Sequence, residues 1–339
     1  MRFALADGPG GVHVKISAIA VIALACLIAL VLVSYAVEAL RPRPRRPDKL
    51  PWGPGIPIEY ANLGDIRVRY IKTGSGPNLV LLHTLRTQLD IFQKVIPELA
   101  RHFTVTAYDY PGHGWSDIPR ADYAPEDFYR WTAAFLDALG IEQACLAGIS
   151  IGGTVALVLA ARGNPRVDRA IAINPYDYWP AGGIRKSSVM ARLILEPSGV
   201  PILGATLMRL RNRFVSDRIM EGGVASAQAL PQDLKKELYE VGARPGHTRG
   251  FLSLLAHERL WPQARNEYPR IRIPTLLVYG DRDWAPAAMR EQERALIPEV
   301  SMTTIPDGGH FLSLDRPEEL AGLMVRFIAN TRGPRAARV

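Results

Sequence analysis

The stretch Gly148-Ile149-Ser150-Ile151-Gly152 sets a hydroxyl between two glycines in the pattern G-x-S-x-G. A serine hydroxyl becomes a useful nucleophile when a base removes its proton, and that base needs an acid to orient it. Two later segments supply such groups. Asp283 ends Pro274-Thr275-Leu276-Leu277-Val278-Tyr279-Gly280-Asp281-Arg282-Asp283, where an apolar run enters an acidic turn. Asp281 is read as a residue of the turn itself. His310 lies in Ile305-Pro306-Asp307-Gly308-Gly309-His310-Phe311, a glycine turn. Ser150, Asp283 and His310 together would run acyl transfer: the serine attacks a carbonyl, the imidazole takes its proton, and the carboxylate holds the imidazolium. His13, His102, His113, His247 and His257 have no matching acid or nucleophile context.

Groups so far apart in sequence meet only if a common scaffold brings them together. Asn78–His83 and Gln143–Gly148 are nearly continuous apolar runs, as strands buried on both faces should be. Ile66–Ile71, Thr104–Tyr108, Ala170–Ile173, Thr275–Tyr279 and Ser301–Thr304 read as further strands. Asp90–His102, Asp127–Leu139 and Gly152–Arg162 have helical spacing. The alternation predicts an α/β fold, a mainly parallel sheet flanked by helices. All three reactive residues follow strands, where active sites of open parallel sheets gather. Ser150 also opens a helix. A turn that sharp strains its backbone, exposes its hydroxyl and aims helix N–H groups at the same spot.

Between Pro175 and Pro269 the strand rhythm stops. The expected organisation is a core of residues 58–175 and 269–331, with a helical cap at 176–268. Met190, Ile194, Leu207, Met208 and Phe214 of that cap are candidates for an apolar acyl pocket, although residues at such helical spacing are more often core.

With these motifs in place, residues 58–331 resemble the α/β-hydrolase superfamily, in its serine esterase and haloperoxidase-like, cap-bearing branch. Asp109-Tyr110-Pro111-Gly112-His113-Gly114-Trp115-Ser116 is similar to that family's turn after its fourth strand, which makes His113 and Ser116 structural. The resemblance implies an oxyanion hole formed by the N–H groups of Ile151 and Leu85. The family usually has His-Gly after its third strand, whereas this chain has His83-Thr84-Leu85. Thr84 restricts the backbone there, and its hydroxyl is a further candidate donor. Dehalogenases and epoxide hydrolases of this fold use a carboxylate where Ser150 stands, which argues against both chemistries. No metal motif, P-loop or dinucleotide fingerprint is present, so no cofactor is expected.

Composition agrees with a globular enzyme: 339 residues, 48% hydrophobic and 22% charged. Two cysteines, Cys26 and Cys145, cannot form a disulfide framework. The uncharged run 16–37 follows an N-terminal segment 1–15 and is long enough for a single-pass transmembrane helix. Its rival is a cleaved signal peptide, whose apolar core is usually shorter. A Pro/Arg-rich linker, 38–57, follows, and its basic residues place the catalytic domain on the cytoplasmic side. The net charge of +8 gathers in the first fifty residues, in 185–218 and in the tail that ends at 332–339. An anionic leaflet attracts such clusters, and no nucleic-acid motif is seen. The expectation is a membrane-anchored serine hydrolase acting on hydrophobic, lipid-like carboxylic esters. An acyltransferase, a haloperoxidase-like enzyme and a non-catalytic tethered binding protein are the alternatives.

Overall fold

The computed structural model describes residues 18–178, 183–200 and 202–331. Segment 1–15, the first two residues of the expected span and the tail 332–339 lie outside the described residues.

Eight strands form one sheet: β1 (Glu59–Leu63), β2 (Ile66–Thr73), β3 (Asn78–Leu82), β4 (Thr104–Tyr108), β5 (Ala144–Ile149), β6 (Val167–Ile173), β7 (Thr275–Gly280) and β8 (Ser301–Ile305). Their order is β1-β2-β4-β3-β5-β6-β7-β8. β2 is antiparallel to β1 and β4, and every other pairing is parallel. The expected α/β-hydrolase architecture is what forms. Sequence reading missed β1, because Glu-Tyr-Ala-Asn-Leu lacks an apolar run. It is held as the outer half of a hairpin with β2, Leu63 opposite Ile66.

The helices are α1 (Ala18–Leu40), α2 (Ile96–Leu99), α3 (Pro125–Ala138), α4 (Ile151–Ala161), α5 (Val189–Leu195), α6 (Leu203–Leu210), α7 (Arg213–Glu221), α8 (Gln232–Gly242), α9 (His247–Ala256), α10 (Ala287–Leu296), α11 (Leu312–Asp315) and α12 (Pro317–Asn330). Alternate residues of β3 serve opposite cores. Val80 and Leu82 join Phe128, Phe135, Val155 and Leu159, whereas Leu79 and Leu81 join Leu99, Leu320 and Met324. That period of two is the pleat. All of α4 is buried, as its uninterrupted apolar sequence requires.

The helix expected over Asp90–His102 is instead a 3-10 turn, Leu89–Phe92, and the short α2. Pro97 at the start of α2 has no N–H to continue a preceding helix, and the Asp90 side chain is drawn into a buried ion pair with Arg69. The apolar N-terminal helix also runs three residues past the expected end. It is long and apolar enough to cross a membrane, a property shared with signal sequences. Its last turns pack on α6. There Ser34 is buried, Arg209 lies 3.9 Å from the Tyr35 ring centroid, and Arg41 donates to the Arg209 and Arg211 carbonyls at 2.7 and 3.0 Å. The far end of the linker is docked: Leu50 is buried, and Trp52 Nε1 donates to Asp90 Oδ1 at 2.6 Å.

Candidate active site

The sheet order reverses at β3, so the loops after β3 and β5 part around a crevice, the usual ligand position of open parallel sheets. Ser150 sits at the tip of β5 with φ 58° and ψ −121°, immediately before α4. A non-glycine residue holds such a conformation only when its surroundings impose it. Here the Ser150 N–H donates to Ile173 O at 2.9 Å, locking the turn to β6. Both flanking glycines are required by close approach. A Cβ on Gly148 would lie 2.1 Å from the Gly152 carbonyl carbon, and one on Gly152 would lie 2.2 Å from Leu82 O.

The histidine loop is tied from several sides. The Asp281 carboxylate accepts from Gly308 N–H at 3.1 Å, so that residue does serve the turn. Asn174, at the end of β6, accepts from Gly280 N–H and donates to the carbonyls of Gly309 and His310, the latter two at 3.0 Å. Asp283 Oδ2 accepts from Ala285 N–H at 2.9 Å, and Oδ1 receives His310 Nδ1 at 2.6 Å. Both side chains are almost fully buried. The Trp284 ring stacks on the imidazole, with centroids 3.8 Å apart and planes at 14°. The indole is in turn held by Gly222 O at 3.2 Å. One nitrogen of His310, Nε2, is buried without a hydrogen-bond partner among the described residues. Ser150 and His310 line one tight pocket with Thr84, Leu85, Tyr176, Trp284 and Phe311.

The loop after β3 is built on His83. Its Nε2 accepts from Tyr110 N–H at 2.9 Å, which makes Nδ1 the donor to Thr84 O at 2.7 Å. Thr87 Oγ1 donates to the same carbonyl. Burial pushes His83 and His113 down to about 3, so both rings are neutral; both His83 nitrogens are bonded, and His113 Nδ1 faces Pro111 O at 3.2 Å. Ser116 Oγ donates to Asp109 O and accepts from Arg69 N–H, a turn role. The positive φ of the loop falls at Arg86, 56°, and not at Thr84. Among the described residues, neither Ile151 N–H nor Leu85 N–H donates to a backbone carbonyl.

A family model of the alpha/beta hydrolase fold matches residues 77–317. The chain belongs to the α/β-hydrolase family. Haloalkane dehalogenase 2 of Mycobacterium tuberculosis is 26% identical over 266 residues, spanning 76% of this chain and 90% of its own. Among solved structures, Cfl2 from Burkholderia cenocepacia shares the fold with a TM-score of 0.72 at 24% identity, over 82% of this chain and 98% of that one. A membrane phospholipase A, described as a bacterial virulence factor, matches with a TM-score of 0.68 at 24% identity, over 91% and 92%.

In this α/β-hydrolase, two residues that position the histidine escaped sequence reading. Trp284 adjoins Asp283 but carries no motif, and Asn174 is marked only by its place after a strand. Of the two readings of the cap residues, core packing is the one that forms for three of them, and the apolar wall does not form. None of Met190, Ile194, Leu207, Met208 and Phe214 lines the Ser150 pocket. Met190 and Ile194 pack on the core, Met208 is buried in it, and Phe214 is 60% exposed beneath Arg218. The pattern of apolar residues marked helix faces, and the packing of α5 to α7 chose a different neighbour for each. No group of three metal-binding side chains occurs among the described residues.

Proposed function

We propose that the protein is a membrane-anchored serine hydrolase that cleaves carboxylic esters with hydrophobic acyl groups. Ser150 attacks the ester carbonyl while His310 Nε2 takes its proton. Asp283 fixes the Nδ1–H tautomer and stabilises the imidazolium. The protonated imidazole then gives its proton to the leaving alcohol, and water attacks the acyl-enzyme with His310 again as base. The N–H groups of Ile151 and Leu85 hold the oxyanion, each such donor being worth about 2.7–4 kcal/mol in the barrier. The observation that carries this reading is the unpartnered Nε2 of a carboxylate-held, tryptophan-stacked histidine in one pocket with a strained serine.

A serine at the elbow supports acyl-enzyme chemistry over dehalogenation or epoxide opening. The apolar walls of Leu85, Trp284 and Phe311 favour an acyl chain. The anchor reading rests on α1 and its packing on the inserted helices, beside which basic residues lie. The Arg-rich stretch after α1 supports a cytoplasmic placement of the domain. The likeness to a membrane phospholipase A carries the fold. The same triad would also serve an acyltransferase, which added alcohol acceptors would reveal as new esters.

A fluorophosphonate probe tests the reading. It should label the wild type, and labelling should vanish in Ser150→Ala, with a fall of roughly 10³-fold or more in ester hydrolysis in His310→Ala. A folded wild type that refuses the probe and every ester of a chain-length series overturns it.

A further inference from the structure

Beside the Ser150 pocket lies a group of basic side chains to which the triad assigns no task. Arg86 directly follows Leu85. Its guanidinium rests over the Phe251 ring of α9, 4.8 Å from the centroid. His247, one helical turn earlier at i, i+4 spacing, is buried. Thr248, next to it, accepts from Arg211 Nη1 at 3.1 Å. Arg211 also donates to the carbonyls of Met208 and Gly242, and it too is buried. Three basic side chains from the β3 loop, the end of α6 and the start of α9 thus converge.

Negative charge is scarce there. Among the described residues no carboxylate pairs with Arg86. Glu38 stands 4.0 Å from Arg211, and equally far from Arg41, which competes for it. Burial pushes Arg86 down to about 10. Burial, then Arg86 and Arg41, push Arg211 down to about 9, and His247 is driven well below its ordinary value by burial and both arginines. Two guanidinium cations, Arg211 buried and Arg86 half-buried, crowd each other there with little negative charge to balance them, which is unfavourable unless an anion joins them.

The surroundings say what kind of anion could arrive. On one side Leu85 borders the reactive pocket. On the other, a cleft lined by Glu38, Arg209, Gly246, Thr248, Arg249 and Leu252 opens at the end of α1. Thr248 belongs to both the cleft and the cluster. Arg209 and Arg249 add two further cationic side chains to the lining of that cleft.

We propose that Arg86, supported by Arg211 and His247, binds an anionic oxygen group, a carboxylate or phosphate, on an amphiphilic ester whose carbonyl is held at Ser150. The planar guanidinium suits either group by paired hydrogen bonds. This rests on the hydrolase reading for the ester and names its substrate class, an acidic amphiphile.

The test separates the two. Full-length Ser150→Ala protein in detergent is titrated calorimetrically with dodecyl phosphate, dodecanoate and dodecanol. The anionic probes should bind about 10- to 100-fold tighter than the alcohol, and Arg86→Gln in the same background should remove that preference. The tighter of the two anions identifies a phosphate or a carboxylate head. In the active protein, the kcat/KM ratio of an anionic ester over its methyl-capped form should fall by a similar factor in Arg86→Gln. Near-ultraviolet circular dichroism verifies folding. Should Arg86→Gln fail to fold, Arg86→Lys carries the test, with an expected loss of several-fold. An anion preference unchanged by a folded Arg86 variant, or absent from the wild type, overturns the subsite. Arg86-dependent binding without turnover of any ester overturns the hydrolase and leaves the subsite standing.

Discussion

Two arginines flanking β3, seventeen positions apart in sequence, are treated in opposite ways. Arg69, on β2, is fully buried among three carboxylates: Asp109 at 2.7 Å, Asp90 in direct contact and Glu237 at 3.5 Å. Asp109 also accepts from the N–H groups of Leu89 and Trp115, and Asp90 from Trp52 and Gln88. Arg69 therefore joins the linker, the sheet and α8, and those carboxylates keep it charged by raising its pKa against burial. Arg86 has an aromatic ring and no acid, and burial acts on it unopposed. The contrast teaches that a buried charge with all its partners inside the chain is architecture. One without them has capacity for something that arrives from outside.

Three substitutions bear on that comparison. Arg69→Met should do the greatest damage, about 3–5 kcal/mol of stability, because it strands buried carboxylates. Denaturant unfolding measures it, and a loss below about 1 kcal/mol would erase the distinction between the two arginines.

Glu237 gives a smaller, pH-dependent effect. Burial first, then Asp90, push its carboxyl up to about 7 against the pull of Arg69. The folded state keeps this proton up to about pH 7, whereas the unfolded chain releases it near 4.5. The group therefore contributes less stability as pH climbs through that window and nothing further changes above it. Melting temperatures of wild type and Glu237→Gln should diverge with pH only between those limits, and a constant difference would contradict the assignment.

Arg86→Met should change least. Removing a half-buried charge that no acid pairs leaves no stranded acid, so stability should hold or rise by about 1 kcal/mol. A drop as large as that of Arg69→Met would show that Arg86 is structural after all.

Much of the fold was readable because its signals are local. The apolar runs of β3, β5 and β7 need no partner to be recognised, and the Ser150 turn is written in two glycines that sterics demand. Where local signals conflict, reading failed. Apolar spacing suggested a single helix over Asp90–His102, but Pro97 and the pull of Arg69 on Asp90 break it. The strand β1 has no apolar run and exists because β2 offers it an edge. Phe214 carried the same letter pattern as a pocket residue and ended in solvent.

The sequence alone determined the α/β layering, the order of Ser150, Asp283 and His310 at strand ends, and an apolar N-terminal segment of membrane-spanning length, since each depends on neighbours within a few residues. Tertiary structure decided that Trp284 stacks on His310, that Asn174 binds the histidine loop, that α1 lies on α6, and that Arg86, Arg211 and His247 share one volume. Those are contacts between segments tens to hundreds of residues apart. Their geometry follows from how the sheet twists and the helices settle upon it, which no short stretch of residues encodes.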